Sequence, residues 1–323
     1  MSDMRHRPLG DSGLMVSVVG VGCNAFGSRI DADQTRAVVD AAIDAGITLF
    51  DTADSYGDGA SEELLGRALG ARREQVVLAT KFGMGDHEAE HFGAHGSRRY
   101  VRRAVEASLR RLGTDHIDLY QLHRPDPITP VEETLGAMSE LVTEGKVRYI
   151  GSSNLSAWQV VDADWVARTA GTQRFVSAQN EYSLYNRMAE TELVPACEEV
   201  GVGLLPYFPL AYGLLTGKYR RGEAAPEGTR LAASSQASRL ESARWDRIEA
   251  LEAFARQRDV SMLQLAVGGL AAQPAVASVI SGATRPEQVR ANVEAGLWEP
   301  TLEDLADLDA LGEDPAFSYT TFA

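Results

Sequence analysis

Residues 97–123, SRRYVRRAVEASLRRLGTDHIDLYQLH, carry a helix and a strand in immediate succession. Val101, Ala104, Val105, Leu109 and Leu112 fall on one helical face, with Ser97 placed to cap the start and Gly113 to end it. IDLYQLH then follows as a short apolar run that stops on His123. Continuous apolar strands are what a parallel sheet covered by helices requires.

The same pairing recurs along the chain. Eight apolar runs are present: VVGVGC, ITLFD, VVLATK, IDLYQLH, VRYIGSSN, FVSAQN, VGLLPY and VASVISG, with helix-like stretches such as QTRAVVDAAIDAG between them. They end at Cys23, Asp51, Lys81, His123, Ser152, Gln179, Tyr207 and Ser281, at intervals of 28, 30, 42, 29, 27, 28 and 74 residues. Five of the seven intervals are one βα unit long, which predicts an α/β protein of the (β/α)8 TIM-barrel class, with its site at the C-terminal strand ends. A doubly wound open sheet would normally carry GxGxxG, and GVGCNAFG lacks that spacing. The two long intervals predict extended loops at about residues 83–98 and 208–241 on the site face. RPLGDSGLMVS reads as an N-terminal β-hairpin closing the opposite end, and TLEDLADLDALG as an extra C-terminal helix before a tail. No linker interrupts the pattern, so residues 1–323 read as a single domain.

Composition narrows the function. No segment approaches the roughly 18 unbroken apolar residues of a membrane span, and the charged N-terminus is not followed by a signal-like apolar stretch. Cys23 and Cys197 are the only cysteines, too few for a disulfide framework, which fits a cytoplasmic location. A net charge of −15 argues against nucleic-acid or anionic-membrane partners, so any anionic ligand must be met locally. The oligomeric state is not legible.

In a barrel, Asp51, Lys81 and His123 leave the second, third and fourth strands at one rim, and Tyr56 joins them from the following loop, LFDTADSYGDG. A phenol beside an ammonium, a carboxylate to hold that ammonium and an imidazole are reagents for proton transfer. The adjacent cation is expected to lower the phenol's pKa, and Asp51 to keep Lys81 charged against burial.

DTADSYGDGASEELLG, LATKFG, LYQLHRPD, GSSNLS, AQNEYS and SGATRPEQVRAN, in that order and over nearly the whole chain, resemble the aldo-keto reductase family. The arrangement is more similar to the branch with voltage-gated potassium-channel β subunits and bacterial sugar or pyridoxal reductases than to mammalian aldose reductase. The resemblance implies that Asp51, Tyr56, Lys81 and His123 form a catalytic tetrad for NADPH-dependent reduction of an aldehyde or ketone by direct hydride transfer. Tyr56 would protonate the substrate oxygen, Lys81 and Asp51 would tune it, and His123 would orient the carbonyl. It further places Ser153, Asn154 and Gln179 on the nicotinamide carboxamide and Tyr207 on the ring. Phe208, Leu210 and Lys218 of PYFPLAYGLLTGKY would follow the pyrophosphate, and Gly282, Thr284, Arg285, Gln288 and Asn292 would meet the 2′-phosphate and adenine; Cys23, after the first strand with Gly22 beside it, reads either as lining the cofactor cavity or as a small buried hydrophobe.

Arg285 at a helix start suits a phosphate and favours NADPH. Phe208 stands where relatives often have serine, Gly282 where some have lysine, and Ala291 where a glutamate is found, which leaves NADH or dual use open. The loops after strands one, three and seven and the tail PAFSYTTFA are expected to set selectivity, with Phe26, Phe82 and Tyr212 as walls. His87, His91 and His95 have ligand-like spacing, but Gly93 and Gly96 disfavour a helix, so no metal site is expected. RRGEAAPEGTRLAASSQASR is either a flap over the cofactor or a passive excursion. Two rival functions remain: an NAD(P)+-linked sugar dehydrogenase and a cofactor-occupied sensor subunit.

Overall fold

The computed structural model describes residues 4–84, 94–232 and 236–312. Eight strands run parallel in one sheet: β3 (Val19–Gly22), β4 (Leu49–Asp51), β5 (Val77–Phe82), β6 (Ile117–Leu122), β7 (Val147–Ser153), β8 (Phe175–Gln179), β9 (Gly203–Leu204) and β10 (Val279–Gly282). β10 lies beside β3, and hydrogen bonds from Leu204 N to Ala275 O (2.7 Å), Ala277 N to Leu204 O (2.9 Å) and Ile280 N to Pro206 O (3.0 Å) join the two sheet ends. The ring closes as a (β/α)8 barrel. β9 stops at Leu204, three residues short of the expected end at Tyr207, and pairing resumes only as a Glu181–Tyr207 bridge. Pro206, which has no N–H to give to a ladder, lies between.

Strand alternation divides the side chains into two sets. Leu49, Ala79 and Leu119 face inward and form an apolar layer with Leu205, Ala277 and Ile280. Two residues further along the same strands lie Asp51, Lys81 and Gln121, and beyond them His123. The odd-numbered inward set therefore changes from apolar to polar on approaching the C-terminal rim. Phe50, Leu78, Phe82 and Tyr120 face outward into the larger core between sheet and helices.

The antiparallel pair β1 (His6–Pro8) and β2 (Met15–Ser17) is the floor. Leu9, Leu14 and Val16 join the apolar inner layer, and Ser17 and Thr48 exchange hydrogen bonds at 3.0 Å just before β4. Gly10, with φ +57°, lies against the starts of β8 and β9; a Cβ there would sit 2.5 Å from Gly201 O and 2.6 Å from Gly203 N.

Around the barrel lie α1 (Ala32–Asp44), α2 (Ala60–Leu69), α3 (Arg98–Leu112), α4 (Val131–Thr143), α5 (Ala157–Ala170), α6 (Leu193–Val200), α7 (Ala237–Glu241), α8 (Trp245–Gln257), α9 (Met262–Ala271) and α10 (Pro286–Gly296). α3 starts at Ser97, whose side chain accepts from Tyr100 N, and ends at left-handed Gly113, as its sequence predicts. The extra helix is α11 (Leu302–Ala310), opened by a Thr301 capping box. Arg187 ties it down by donating to Leu308 O (2.9 Å) and Asp309 (2.5 Å). No helix among the described residues is long and apolar enough to cross a membrane.

The long segment after β9 is more ordered than its sequence suggests. Leu214, Leu215, Tyr219 and Leu231 are buried in a second apolar cluster with Ile248, Leu251, Phe254 and Leu265 of α8 and α9. These anchors lack helical spacing because the segment is built from short 3-10 turns, Ala211–Thr216 and Arg230–Ala232, before α7.

Candidate active site

The carboxylate that ends β4 has every oxygen occupied. Lys81 Nζ donates to Asp51 Oδ2 at 2.6 Å; Gln179 Nε2 and Gln121 Nε2 donate to Oδ1 at 2.9 and 3.2 Å. Lys81, fully buried, also donates to Thr52 O at 2.9 Å and reaches Tyr56 OH at 3.5 Å. Burial alone pulls the ammonium's pKa down, but Asp51 and then Tyr56 together outweigh it and the net direction is upward, so Lys81 is charged.

Tyr56 stands edge-on to His123, ring centroids 5.8 Å apart at 80°. Burial raises its pKa more than Lys81 lowers it, which corrects the expectation of a lowered value. The phenol therefore holds its proton at neutral pH. For His123, burial first and then Lys81 and Arg124 depress the imidazole to about 2. It is neutral, and its Nδ1 is buried without a hydrogen-bond partner.

Four of the expected cofactor residues form one connected edge. Ser153 Oγ donates to Gln179 O (2.8 Å), Asn154 Nδ2 to His123 O (3.0 Å) and Tyr207 OH to Asn154 Oδ1 (2.8 Å). Asn154 adopts φ +61° while its N–H donates to Gln179 O at 3.0 Å. Next to this edge Phe208, Ala211 and Tyr212 all have positive φ, three non-glycine residues in a conformation that costs about 1–2 kcal/mol each. Phe208 packs edge-on to Tyr207 at 5.0 Å and against Tyr212 at 4.4 Å. Leu210 lies half-buried between the two apolar clusters. Lys218 is exposed, its Nζ 5.3 Å over the Tyr219 ring.

At the β10 end, Thr284 donates through N (2.8 Å) and Oγ1 (3.0 Å) to Gln288 Oε1. Arg285 is the N-cap of α10, exposed and without an ion pair among the described residues. Gly282 is exposed at the strand end beside the Asn24 side chain, and Asn292 is buried on α10.

Other expectations need correction. Cys23 is 0% exposed, its thiol 3.6 Å from Val21 O and pushed well up in pKa by burial; its N–H and carbonyl are spent on Asp51 O and Ser61 Oγ. Its side chain offers a ligand no surface, and Gly22 beside it is buried too. Phe26 and Phe82 are also 0% exposed and are not pocket walls. Strand alternation explains Phe82: with Lys81 inward, its neighbour must face outward, where it stacks on Tyr120 at 4.7 Å. His87, His91 and the PAFSYTTFA tail lie outside the described residues; His95 packs edge-on to Tyr100 at 5.3 Å. No metal-binding cluster occurs among the described residues.

Two residues at the mouth were not anticipated. Gln121 was legible as the inward residue two before His123. Arg230, inside the long segment, is exposed, its guanidinium 5.6 Å over Phe208 and 5.1 Å over Tyr212, with no acidic partner among the described residues. Burial, and then Arg29 and Arg239, pull its pKa down. No local sequence signal marks it.

A family model described as the aldo/keto reductase family matches residues 18–313. A probable voltage-gated potassium channel subunit beta of Oryza sativa subsp. japonica is 36% identical over 301 residues, 90% of this chain and 91% of its own. Probable aldo-keto reductase 1 of Glycine max is 36% identical over 307 residues, covering 93% and 86%. Versiconal hemiacetal acetate reductase of Aspergillus parasiticus is 33% identical over 335 residues, covering 94% and 96%.

Proposed function

Because the chain belongs to the aldo/keto reductase family, with oxidoreduction of carbonyl groups as its chemistry, we propose that it reduces an aldehyde or ketone to the alcohol using NADPH, with Tyr56 as proton donor and residues 1–323 as one functional unit. The observation that carries this reading is the bonded series Asp51–Lys81–Tyr56 facing neutral His123 at the barrel mouth. Tyr56 keeps its proton until a substrate oxygen gains charge, which is the condition for a general acid. Lys81 then stabilises the phenolate left behind, and Asp51, held by two glutamines, keeps that ammonium in place. His123, neutral, hydrogen-bonds and orients the carbonyl without competing for the proton.

The residues present fit a dinucleotide. Tyr207 offers an aromatic face fixed through its hydroxyl, Ser153, Asn154 and Gln179 offer amide and hydroxyl groups beside it, and Arg230 and Arg285 are cations without acidic partners among the described residues. The bound cofactor supplies the hydride. Thr284, Gln288, Asn292 and Arg285 would hold its adenosine end, the guanidinium favouring a 2′-phosphate. Phe208, Leu210 and Lys218 would border the phosphates, while Gly282 keeps the approach open.

The test is the loss of reduced-nicotinamide absorbance with aromatic aldehydes, pyridoxal, methylglyoxal and aldoses, run with NADPH and with NADH. Turnover that falls by about two orders of magnitude or more in Tyr56→Phe supports the reading; undiminished turnover in that variant overturns the donor assignment. A second reading, a cofactor-bound sensor subunit with slow turnover, is favoured by the relative named as a channel subunit. Tight cofactor binding with no turnover on any carbonyl would select it.

A further inference from the structure

Behind the turn that carries Tyr56, on the outer side of the barrel wall, lies a buried polar cluster that the proposed chemistry does not use. Thr80, whose neighbour Lys81 faces the interior, points outward and donates to Glu62 Oε1 of α2 at 2.6 Å. The other oxygen of Glu62, itself 0% exposed, accepts from Arg111 Nε of α3 at 2.6 Å. Glu62 is thus saturated. Asp54 arrives at the same place: its N–H donates to Lys81 O at 3.2 Å, one peptide along from Thr80. Yet Asp54 Oδ1 is enclosed with no hydrogen-bond partner, as are Ser55 Oγ and Tyr120 OH.

The charged and titratable groups facing Asp54 are Glu62 from α2, Arg111 from α3, Lys81 from β5 and Tyr120 from β6. Both cations are committed, Arg111 to Glu62 and Lys81 to Asp51. Arg111, the Ser55 N–H and Lys81 favour the ionised form of Asp54, but burial and the like charge of Glu62 outweigh them, and two carboxylates sharing one guanidinium do not both ionise readily. Glu62 holds the guanidinium, so Asp54 is the one that keeps a proton.

We propose that Asp54 is a positioning residue for Tyr56 that works as a neutral carboxylic acid, and that loss of its proton sets a second, partly buried negative charge beside Glu62 and displaces the turn holding the phenol against Lys81. The proposal rests on the reading of Tyr56 as proton donor. Burial first, and Glu62 next, push the Asp54 carboxyl up to about 7. Its titration therefore falls in the physiological range. Between the ordinary carboxylate range and that value the native protein binds a proton that the unfolded chain has released, so stability falls as pH rises across this window and is level above it.

The experiment compares wild type, Asp54→Asn and Glu62→Gln in two measurements against pH: kcat and KM for a carbonyl substrate, and the urea unfolding midpoint. The amide copies the neutral acid and cannot ionise. In wild type, kcat should fall several-fold between about pH 6 and 8 with KM little changed. Asp54→Asn should keep the low-pH kcat and lose both that fall and the stability slope. Glu62→Gln frees Arg111 and removes the like charge, so the fall should move to lower pH by about one unit. A kcat profile unchanged in Asp54→Asn overturns the positioning role while leaving the reductase reading standing. If no carbonyl turns over, that reading fails by itself, and a stability slope that persists in Asp54→Asn overturns the neutral acid independently.

Discussion

Asp51 shows at the scale of a single residue how this site is built. Its carboxylate contacts one cation and two amides, so the ion pair with Lys81 is geometrically fixed. In the proposed reaction Lys81 would stabilise the phenolate after proton transfer, since the resting phenol is pushed up by burial despite the ammonium. Tyr56→Phe should lower kcat by about 10²–10⁴ fold, the usual worth of a positioned acid, with cofactor affinity by fluorescence quenching unchanged. His123 makes a second prediction. It is neutral in the fold, depressed to about 2, whereas the unfolded chain takes up this proton near pH 6.5. Stability should therefore drop as pH falls below about 6.5, by up to about 1.4 kcal/mol per unit, and His123→Asn should remove that component from the urea midpoints. Its sign is opposite to the Asp54 slope, so each must be measured as a difference from wild type.

At the scale of elements, the decisive property is one-residue alternation through a single wall. Lys81 and Thr80 are consecutive, yet one serves the mouth and the other a buried network behind it. This alternation also marks what was legible in the sequence. β4 and β8 end at Asp51 and Gln179 as read, and β3, β5, β6, β7 and β10 end within one residue of their expected positions, because covered parallel strands must be continuous apolar runs. β9 was misjudged because VGLLPY stays apolar through Pro206, whose missing N–H the hydropathy pattern cannot register. The chemistry-bearing strand ends were readable for the same reason that the strands were. Arg230 was not, because its place depends on how a segment without periodicity folds over Phe208 and Tyr212. The hairpin supplies a prediction of its own. Gly10→Ala combines a positive φ with backbone contacts that a Cβ would violate, so it should cost about 1–3 kcal/mol in urea unfolding. Activity per folded molecule should be retained.

For the whole molecule, the net charge of −15 repels a dinucleotide at long range, while in the proposed binding mode Arg230 and Arg285 would attract it locally. Both arginines are exposed and therefore open to screening. The Kd for NADPH should therefore rise with salt more steeply than that for NADH, and Arg285→Ala should weaken NADPH selectively and reduce the difference; equal loss for both cofactors would show that Arg285 does not read the phosphate. The net charge itself was plain in the sequence, but which cations escape the abundant acids was not, since pairing is decided by tertiary placement. Arg5, Arg72 and Arg73 all find carboxylates, and Arg285 finds none among the described residues. The two ends of the barrel divide labour in the same way: acid–base groups gather at one rim, while Leu9, Leu14 and Val16 seal the other. A reporter domain or a surface tether joined ahead of His6 would consequently hang from the blind side of the barrel. Such a graft would leave the approach to Tyr56 open, and the protein could be immobilised with its mouths facing the bulk liquid.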